Sequence, residues 1–335
     1  MRKILLLTIL ALPGAFTVQT AYAWNCSVAT ATSVITPPTL VVQRDLPVGA
    51  MIGSVLTSDM AGRFSCSDTP APALTYQEFG IKSHGKNVTI IDGRNIYSTG
   101  IAGIGYAFGG LSGNNCAGTS GWVDSVWGPN VQQLCKSSGL LASQPMTGQA
   151  LVQFYKTAQT TGSGSVGAQL IGSFILRNNQ SAWMWPEAYI NLGALTVTTV
   201  ACSVTNSALS VTMGTVQKRA FRGAGTGPGD SFTRTLTIPL NCNAGTRVNV
   251  QIDGSVQDAA NGVLNLTGGT GSATGVGIQL LYNNVPLTLQ KPINTGSADT
   301  AGTFSIPLQA RYYQTGSDIT PGTANATATF TITYQ

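Results

Sequence analysis

The stretch ATATFTITYQ, residues 326–335, alternates apolar side chains with threonine over nine positions and closes on glutamine. A period of two is typical of a β-strand that buries one face. Natural sheets protect an exposed edge with charged residues, proline or a bulge, because a bare row of N–H and C=O groups recruits other chains. This stretch contains no charge and no proline. Either the strand lies inside a sheet, or its edge pairs with another polypeptide.

The composition extends this expectation to the whole chain. Glycine accounts for 40 of 335 residues, and threonine, serine, valine and asparagine are frequent, as in proteins built from many short strands and turns. We find no long segment of helical periodicity, so the predicted fold class is all-β. Only 9% of the residues are charged, without a cluster of Lys or Arg. That argues against nucleic acid or an anionic membrane as a partner.

The first 23 residues, MRKILLLTILALPGAFTVQTAYA, have the form of a signal peptide. Arg2 and Lys3 precede an apolar run, and an Ala-Tyr-Ala triplet ends it, as at a cleavage site for export. The run is too short for a spanning helix, and we find no other long apolar segment. We expect an exported protein without membrane insertion.

The six cysteines predict three disulfides, because an even count in an exported chain favours pairing. Fifteen connectivities are possible. The simplest is sequential: Cys26 with Cys66, Cys116 with Cys135, and Cys202 with Cys242. The chain has a single histidine, His84, and no CxxC pair, so we expect neither a metal site nor a cofactor.

Two β-rich segments meet near residue 197. The segment 24–197 holds four cysteines and all five tryptophans, whereas 198–335 holds two cysteines and a plainer alternation. The number and spacing of strands in the second segment match an immunoglobulin-like sandwich. We therefore predict two β-sandwich domains, an elongated first domain at 24–197 and a second at 198–335.

The second segment resembles the pilin domain of chaperone/usher fimbriae. The resemblance lies in VACSV and TIPLNCN, in TGVGIQLLYNNVPL, and in FSIPLQARYYQTGSDITPGTANATATFTITYQ, which follow one another across 198–335. It implies an immunoglobulin-like sandwich that lacks its final strand. The resemblance also implies three partners. A periplasmic chaperone would supply the missing strand first, an outer-membrane usher would receive the chain, and the next fimbrial subunit would supply the strand later, by strand addition to a sheet edge.

The same resemblance assigns roles to the end of the chain. The chaperone and subunit groove would include Phe330, Ile332 and Tyr334, and the free carboxylate of Gln335 would meet basic residues of the chaperone. The alternative is that residues 326–335 form the buried last strand of a complete sandwich.

The beginning of the mature chain is similar to that of a two-domain tip adhesin. Only Trp24 and Asn25 precede Cys26, so we expect no strand to donate and a place at the fimbrial tip on the cell surface. RDLPVGAMIGS, residues 44–54, resembles the start of several receptor-binding, lectin-like domains. The receptor implied is a host glycan or an extracellular-matrix protein such as collagen.

The stretch GGLSGNNCAGTSGWVDSVWGPNVQQLC, residues 109–135, holds the candidate binding site. A disulfide between Cys116 and Cys135 would pin a loop that carries aromatic faces for sugar rings and polar groups for hydroxyls. Its candidate residues are Trp122, Asp124, Trp127 and Asn130. Asn114, Asn115, Ser143 and Gln144 occupy places like the ligand loops of GlcNAc-specific fimbrial lectins. Alternatively, Trp122 and Trp127 are core anchors.

Other residues offer less. Trp183 and Trp185 in SAWMWPEAY are expected in the core, and His84 in a polar turn. No GxSxG elbow is present, and no carboxylate pair suggests a glycosidase, so no enzyme is expected. Two other functions remain open, a structural fimbrial subunit or assembly initiator and a secreted carbohydrate-active enzyme.

Overall fold

The computed structural model describes residues 24–68, 74–116, 119–179 and 183–335, and the predicted signal peptide lies outside them. The described residues contain β-strands and two 3-10 turns, Lys218–Ala220 and Asp230–Phe232, but no α-helix. The fold is all-β, with two sandwiches, as the alternation and turn content predict.

The strands up to Val200 belong to the first domain. They are β1 Asn25–Val28, β2 Thr32–Ile35, β3 Leu40–Gln43, β4 Met51–Thr57, β5 Ala61–Ser67, β6 Gln77–Ser83, β7 Asn87–Ile91, β8 Arg94–Ser98, β9 Ile104–Ser112, β10 Ser120–Trp122, β11 Val131–Ser137, β12 Met146–Lys156, β13 Gly164–Val166, β14 Gln169–Asn178, β15 Ala188–Leu192 and β16 Leu195–Val200.

The strands from Cys202 onward belong to the second domain. They are β17 Cys202–Val204, β18 Arg234–Cys242, β19 Thr246–Gly254, β20 Val256–Asp258, β21 Val263–Leu264, β22 Val276–Tyr282, β23 Val285–Pro286, β24 Ile293–Ala298, β25 Gly302–Gln314 and β26 Ala328–Thr333.

Three sheets enclose the first core. An eight-stranded sheet runs β1-β5-β12-β9-β8-β7, with β10 on β9 and β4 on β12. A five-stranded sheet runs β11-β6-β14-β15-β2, and a three-stranded sheet runs β13-β16-β3. Phe79 and Phe174 stack between the large sheets at 5.4 Å between ring centres. Both rings are fully buried.

Two sheets form the second sandwich. One runs β17-β18-β25-β22-β21-β20, with β23 on β22, and the other runs β24-β19-β26. Local sequence explains the hairpin between β22 and β23, because Asn283 and Asn284 both adopt positive φ, 51° and 64°. Paired positive φ values are what a two-residue type I′ turn requires, and asparagine tolerates them.

The two domains meet at the ends of β3 and β16. The hydrophobic core of the first domain includes Val197, and that of the second begins at Cys202. The predicted boundary near 197 therefore falls inside β16, and we propose a division at Ala201. The buried Gln43 side chain bridges the domains: its Nε2 donates to the Gly245 carbonyl at 2.8 Å, and its Oε1 accepts from the Arg247 N–H at 2.9 Å.

Candidate functional site

An apolar groove of about 1490 Å³ opens along one side of the second sandwich. Its walls are the irregular segment 207–216 and the segment 319–330. Its floor consists of side chains from the strands of both sheets, each less than a tenth exposed: Ile238, Ile252, Leu264, Ile278, Leu280, Leu308, Ala310 and Tyr312. A groove of this shape and chemistry suits an extended chain with alternating apolar residues.

The edge of β26 borders this groove. In the described part of the chain β26 pairs only with β19, so its other edge has no strand beside it. Along β19, Val248 and Val250 are fully buried, whereas Phe330 and Ile332 on β26 are only half-buried. A last strand buried in a complete sandwich would hide these side chains as β19 does. The structure therefore shows an edge strand whose inner face is incompletely covered.

The four groove residues predicted from the sequence divide between different places. Phe330 lines the groove, and Ile332 packs at the margin of the second core. Tyr334 lies outside the groove lining: it is 2% exposed, and its hydroxyl donates to the Cys202 carbonyl at 2.7 Å. Gln335 is exposed. The alternation of apolar residues continues past the end of β26, but the Tyr334 side chain packs beside Cys202 rather than in the groove.

Tyr334 also joins the second domain to the first. Its N–H donates to Asp45 Oδ2 at 3.1 Å, its carbonyl accepts from the Asp45 N–H at 3.1 Å, and the Arg44 guanidinium lies 4.6 Å from its ring centre. Burial raises the pKa of Asp45, but hydrogen bonds from Arg44 and from the Tyr334 backbone lower it overall. The carboxylate form of Asp45 therefore favours this contact.

The far wall and the floor of the groove were not predicted as site residues. Segment 207–216 carries apolar Leu209, Val211 and Met213 at alternate positions but forms no strand. Leu236 and Ile238 of FTRTLTIPLNC alternate in the same way and face the groove. The period-two signal was therefore present in the sequence. It does not say which buried positions remain open to solvent on one side.

In the first domain, the structure contains the Cys116–Cys135 disulfide and the loop that it pins. Trp122 on β10 is half-buried, with the Arg94 guanidinium 4.2 Å from its ring centre. It packs on Gly109, where a Cβ atom would come within 2.8 Å of Trp122 Cε3. Trp127 is 51% exposed. Of the two indoles, that of Trp127 is the more available to a ligand.

The polar candidates on the pinned loop make hydrogen bonds within the protein. Asp124 Oδ1 accepts the Val126 N–H at 2.8 Å, which forms a local turn. Asn130 has φ of 62°, and its Oδ1 accepts the Tyr97 hydroxyl at 3.0 Å. These bonds shape the loop and leave its exposed tip at Val126 and Trp127.

The four flanking candidates hold two loops together. Asn114 donates to the Pro145 carbonyl at 2.9 Å, and Asn115 exchanges bonds with the Ser143 backbone at 2.9 and 2.8 Å. Gln144 accepts the Cys66 N–H at 2.8 Å and donates to the Leu141 carbonyl at 2.9 Å. The amide groups of Asn114, Asn115 and Gln144 have backbone partners, and the Ser143 hydroxyl donates to the Asn114 carbonyl at 3.4 Å. The structure therefore assigns all four residues contacts within the protein.

A second polar and aromatic surface lies on the outer face of the five-stranded sheet. Glu187 is 5% exposed. Its Oε1 accepts a hydrogen bond from Lys82 Nζ at 2.9 Å. Its Oε2 lies 3.0 Å from His84 Nε2 and accepts a hydrogen bond from the Ser173 hydroxyl. Burial raises the pKa of Glu187, but the bonds to His84, Ser173 and Lys82 outweigh it and lower the pKa to about 2. The carboxylate is therefore ionised at neutral pH.

The expectation for Trp185 was wrong. His84 lies in the connection between β6 and β7, as predicted, but its imidazole is only 23% exposed and also bonds to Ser173 and Glu187. Trp185 is 75% exposed, and its ring packs edge-on against Tyr189 at 5.9 Å. Trp183 is half-buried, with the Arg177 guanidinium 5.2 Å from its ring centre. Alternation in SAWMWPEAY predicted a buried face, but Trp183 and Trp185 precede β15 and lie at the surface.

Ser173, His84 and Glu187 do not form a catalytic triad. In a triad the serine and the acid contact opposite nitrogens of the imidazole. Here Ser173 Oγ and Glu187 Oε2 both approach Nε2, at 3.1 and 3.0 Å, and Ser173 is fully buried. The cluster joins three strands and presents no nucleophile.

Comparison with known proteins identifies the family. A family model described as fimbrial protein matches residues 191–335. The type-1 fimbrial protein A chain of Escherichia coli is 38% identical over 148 residues, which cover 79% of that protein and 42% of this chain. The chain belongs to the fimbrial protein family.

The similarity of this fimbrial protein extends beyond the second domain. A fimbria adhesin protein of Klebsiella pneumoniae is 27% identical over 318 residues, 88% of each chain. A tip adhesin of Pseudomonas aeruginosa shares 15% identity over 92% of this chain, with a TM-score of 0.37. The receptor-binding domain of a plasmid-borne adhesin of Klebsiella pneumoniae shares 18% over 54%, with a TM-score of 0.36.

The relatives are fimbrial adhesins and subunits, which are binding and structural proteins rather than enzymes. No helix in the described residues has the length and apolar character to cross a membrane. Within the same ranges, His, Cys, Asp and Glu side chains do not assemble into a group of three that could hold a metal ion.

Proposed function

We propose that this fimbrial protein is an adhesin of a chaperone/usher fimbria: its second domain accepts a strand from another polypeptide, and its first domain attaches to a host or surface receptor. The open groove beside β26 carries this proposal. It joins an unpaired strand edge to a floor of buried aliphatic side chains. An extended donor can satisfy both, with backbone hydrogen bonds to one wall and alternate side chains on the floor.

The energy at stake in the groove is large. Each aliphatic side chain that a donor buries fully contributes about 1.5–3 kcal/mol. Three or four such side chains approach the whole net stability of an ordinary domain. The proposed donors are a periplasmic chaperone, which would deliver the chain to an outer-membrane usher, and then the next fimbrial subunit.

The first domain is what distinguishes an adhesin from a structural subunit. The type-1 A chain matches only 42% of this chain, whereas the adhesin relative matches 88%. The first domain has its own core and its own disulfides. Since a structural subunit needs no such domain, we favour an adhesin and place it at the fimbrial tip, with a glycan or matrix protein as receptor.

The groove is tested by supplying a strand. A donor strand with alternating apolar residues, fused through a flexible linker after Gln335, should raise the unfolding free energy of the second domain by about 5 kcal/mol or more. A shuffled strand of equal composition is the control. Equal stabilisation by both strands, or by neither, would remove the basis for strand donation.

Receptor attachment is tested separately on the pinned loop. Trp127→Ala removes the exposed indole, and Trp122→Ala and Asp124→Ala remove its neighbours in the loop. We expect weaker adhesion to receptor-bearing surfaces, at unchanged melting temperature for Trp127→Ala because that ring lies half outside the protein. If all three variants adhere fully, the loop is structural and the receptor site lies elsewhere.

A further inference from the structure

The outer face of the five-stranded sheet combines an exposed aromatic ring with a fixed cation. Tyr189, Ser173 and Lys82 are cross-strand neighbours on β15, β14 and β6. Neighbouring strands lie about 4.8 Å apart, so this row is about 10 Å wide. Trp185 extends it at one end by its edge contact with Tyr189. The row matches the length of about two sugar rings.

The indole of Trp185 offers the surface that a sugar ring needs. It is three-quarters exposed, and Tyr189 contacts it edge-on at an interplanar angle of 68°. Tyr189 is itself held by the His84 ring, 6.1 Å away between centres. The indole therefore has one aromatic neighbour on the sheet, and three-quarters of its surface is open to a ligand. Aromatic faces with a few placed polar groups are the usual make-up of small-ligand sites.

The polar groups of this surface favour a ligand rich in acceptors. Glu187 is the carboxylate of the cluster, and Lys82, His84 and Ser173 already surround its oxygens. Its side chain is only 6% exposed, so it offers little to hydroxyl donors from outside. The Lys82 ammonium has three N–H groups. One of them meets Glu187, and the side chain is 38% exposed. The outward groups are therefore donors.

From this geometry we propose that the surface formed by Lys82, His84, Trp185 and Tyr189 binds an acidic saccharide. A sugar ring stacks on Trp185, and a carboxylate or sulfate of the saccharide accepts from the Lys82 ammonium. Glu187 acts as a positioning residue, because it holds Lys82 and His84 toward the ligand from inside. A neutral saccharide lacks the group that Lys82 selects.

This inference deepens the proposed attachment function and rests on it for its biological purpose. The site differs from the pinned loop, however, so the two proposals are separable. The pinned loop presents Val126 and Trp127, whereas Asp124 and Asn130 make hydrogen bonds to Val126 and Tyr97. The sheet surface presents a cation.

The test measures binding of defined probes to the full-length protein by titration calorimetry. The probes are trigalacturonate, its methyl ester, and a keratan sulfate tetrasaccharide, which carries sulfate but no carboxylate. The ester keeps the rings and removes the charge, so it should bind at least 10-fold more weakly than trigalacturonate. The sulfated probe decides whether sulfate serves as well as carboxylate. Binding of either acidic probe, with the ester failing, supports the proposal.

The variants locate the site. Trp185→Ala and Lys82→Met should each weaken the acidic probe at least 10-fold, and Lys82→Arg should stay within about 3-fold of the wild type because it keeps a cation beside Glu187. Ile90→Ala removes an exposed apolar side chain on β7 and is the matched control for Trp185→Ala. It should leave binding unchanged.

Three results would overturn the assignment: no binding of either acidic probe, equal binding of the ester, or loss of binding in Trp127→Ala but not in Trp185→Ala. In the last case the saccharide sits on the pinned loop, and the attachment function stands without this site. If the protein binds the acidic probe but does not adhere to receptor-bearing surfaces, the saccharide site stands and the attachment function fails. Melting curves of Lys82→Met and Lys82→Arg separate lost binding from lost folding.

Discussion

The first domain encloses its aromatic core, whereas the second leaves one side of its core open. Phe79 and Phe174 stack at zero exposure between two sheets. Phe330 in the second domain is half-buried and lines a groove of about 1490 Å³. Net stability is a small difference between large terms, so one uncovered side of a core is decisive. We therefore expect the first domain to be stable by itself and the second to depend on a partner that covers its groove.

The largest expected effect comes from the closed core. Phe174→Ala should lower the unfolding free energy of the first domain by about 3–5 kcal/mol, with or without a donor strand. Phe330→Ala should cost about 1 kcal/mol without a donor, since part of that ring already faces solvent, and more once a donor covers it. Denaturant unfolding of the full chain, with and without the fused strand, measures both. Equal losses without a donor would contradict the comparison.

The disulfides give a matched pair across the two domains. Cys26–Cys66 and Cys202–Cys242 both close loops of sequence separation 40, so removing either should cost about 4 kcal/mol in the loop-entropy model. Replacing Cys202 and Cys242 by alanine should unfold the second domain unless a donor is present. The same change at Cys26 and Cys66 should leave a weakened but folded first domain. Circular dichroism melts of the two double variants distinguish these outcomes.

Low pH should reduce the unfolding free energy of the first domain more than that of the second, by less than the substitutions above. The pKa of Glu187 is lowered from its ordinary 4.5 to about 2, so its contribution is present above pH 4.5 and is lost as the pH falls toward 2. That contribution is on the order of 3 kcal/mol. In the second domain, Asp258 and Asp318 also have lowered pKa values, but Asp258 is half-exposed and Asp318 exposed, where charge contacts are weak.

Unfolding of the first domain measured between pH 5 and 2 checks this, with Glu187→Gln as the control. The variant should have lower stability at pH 7 and a flatter pH dependence. An unchanged slope would assign the acid sensitivity to another group, such as Glu78, whose pKa is also lowered by Arg177 and Tyr76 against burial.

The smallest expected effect is at the junction between the domains. Asp45→Asn removes a half-exposed ion pair with Arg44 but keeps an oxygen for the Tyr334 N–H. It should cost about 0.5 kcal/mol. Asp45→Ala removes the acceptor as well and should speed amide hydrogen exchange at Tyr334. If Asp45→Asn speeds exchange as much, the charge rather than the hydrogen bond holds the junction.

Much of the fold could be predicted from the sequence, because patterns between neighbouring residues decide it. Alternation in ATATFTITYQ predicted β26. The missing edge protection left a buried strand or an edge that pairs with another chain, and the resemblance to pilin domains favoured the edge. The cysteine count led to the sequential pairing that the structure contains. The pinned loop follows from its two cysteines alone.

The placement of individual site residues was less readable. Asn114, Asn115, Ser143 and Gln144 are residue types that bind sugars, yet in the structure their polar groups meet backbone partners. An amide side chain has the same hydrogen-bonding capacity toward a ligand as toward a neighbouring loop. Only the position of that loop decides between them.

By itself the sequence determined the all-β class, the period of two in the last strand and the cysteines available for pairing, since each depends on neighbours along the chain. The tertiary structure alone decided that the groove has its second wall at 207–216, that Tyr334 lies outside the groove and bonds to Asp45, and that Trp185 faces solvent beside Tyr189. The reason is physical: a period of two says which side chains share a face, but what covers that face is set by segments distant in sequence.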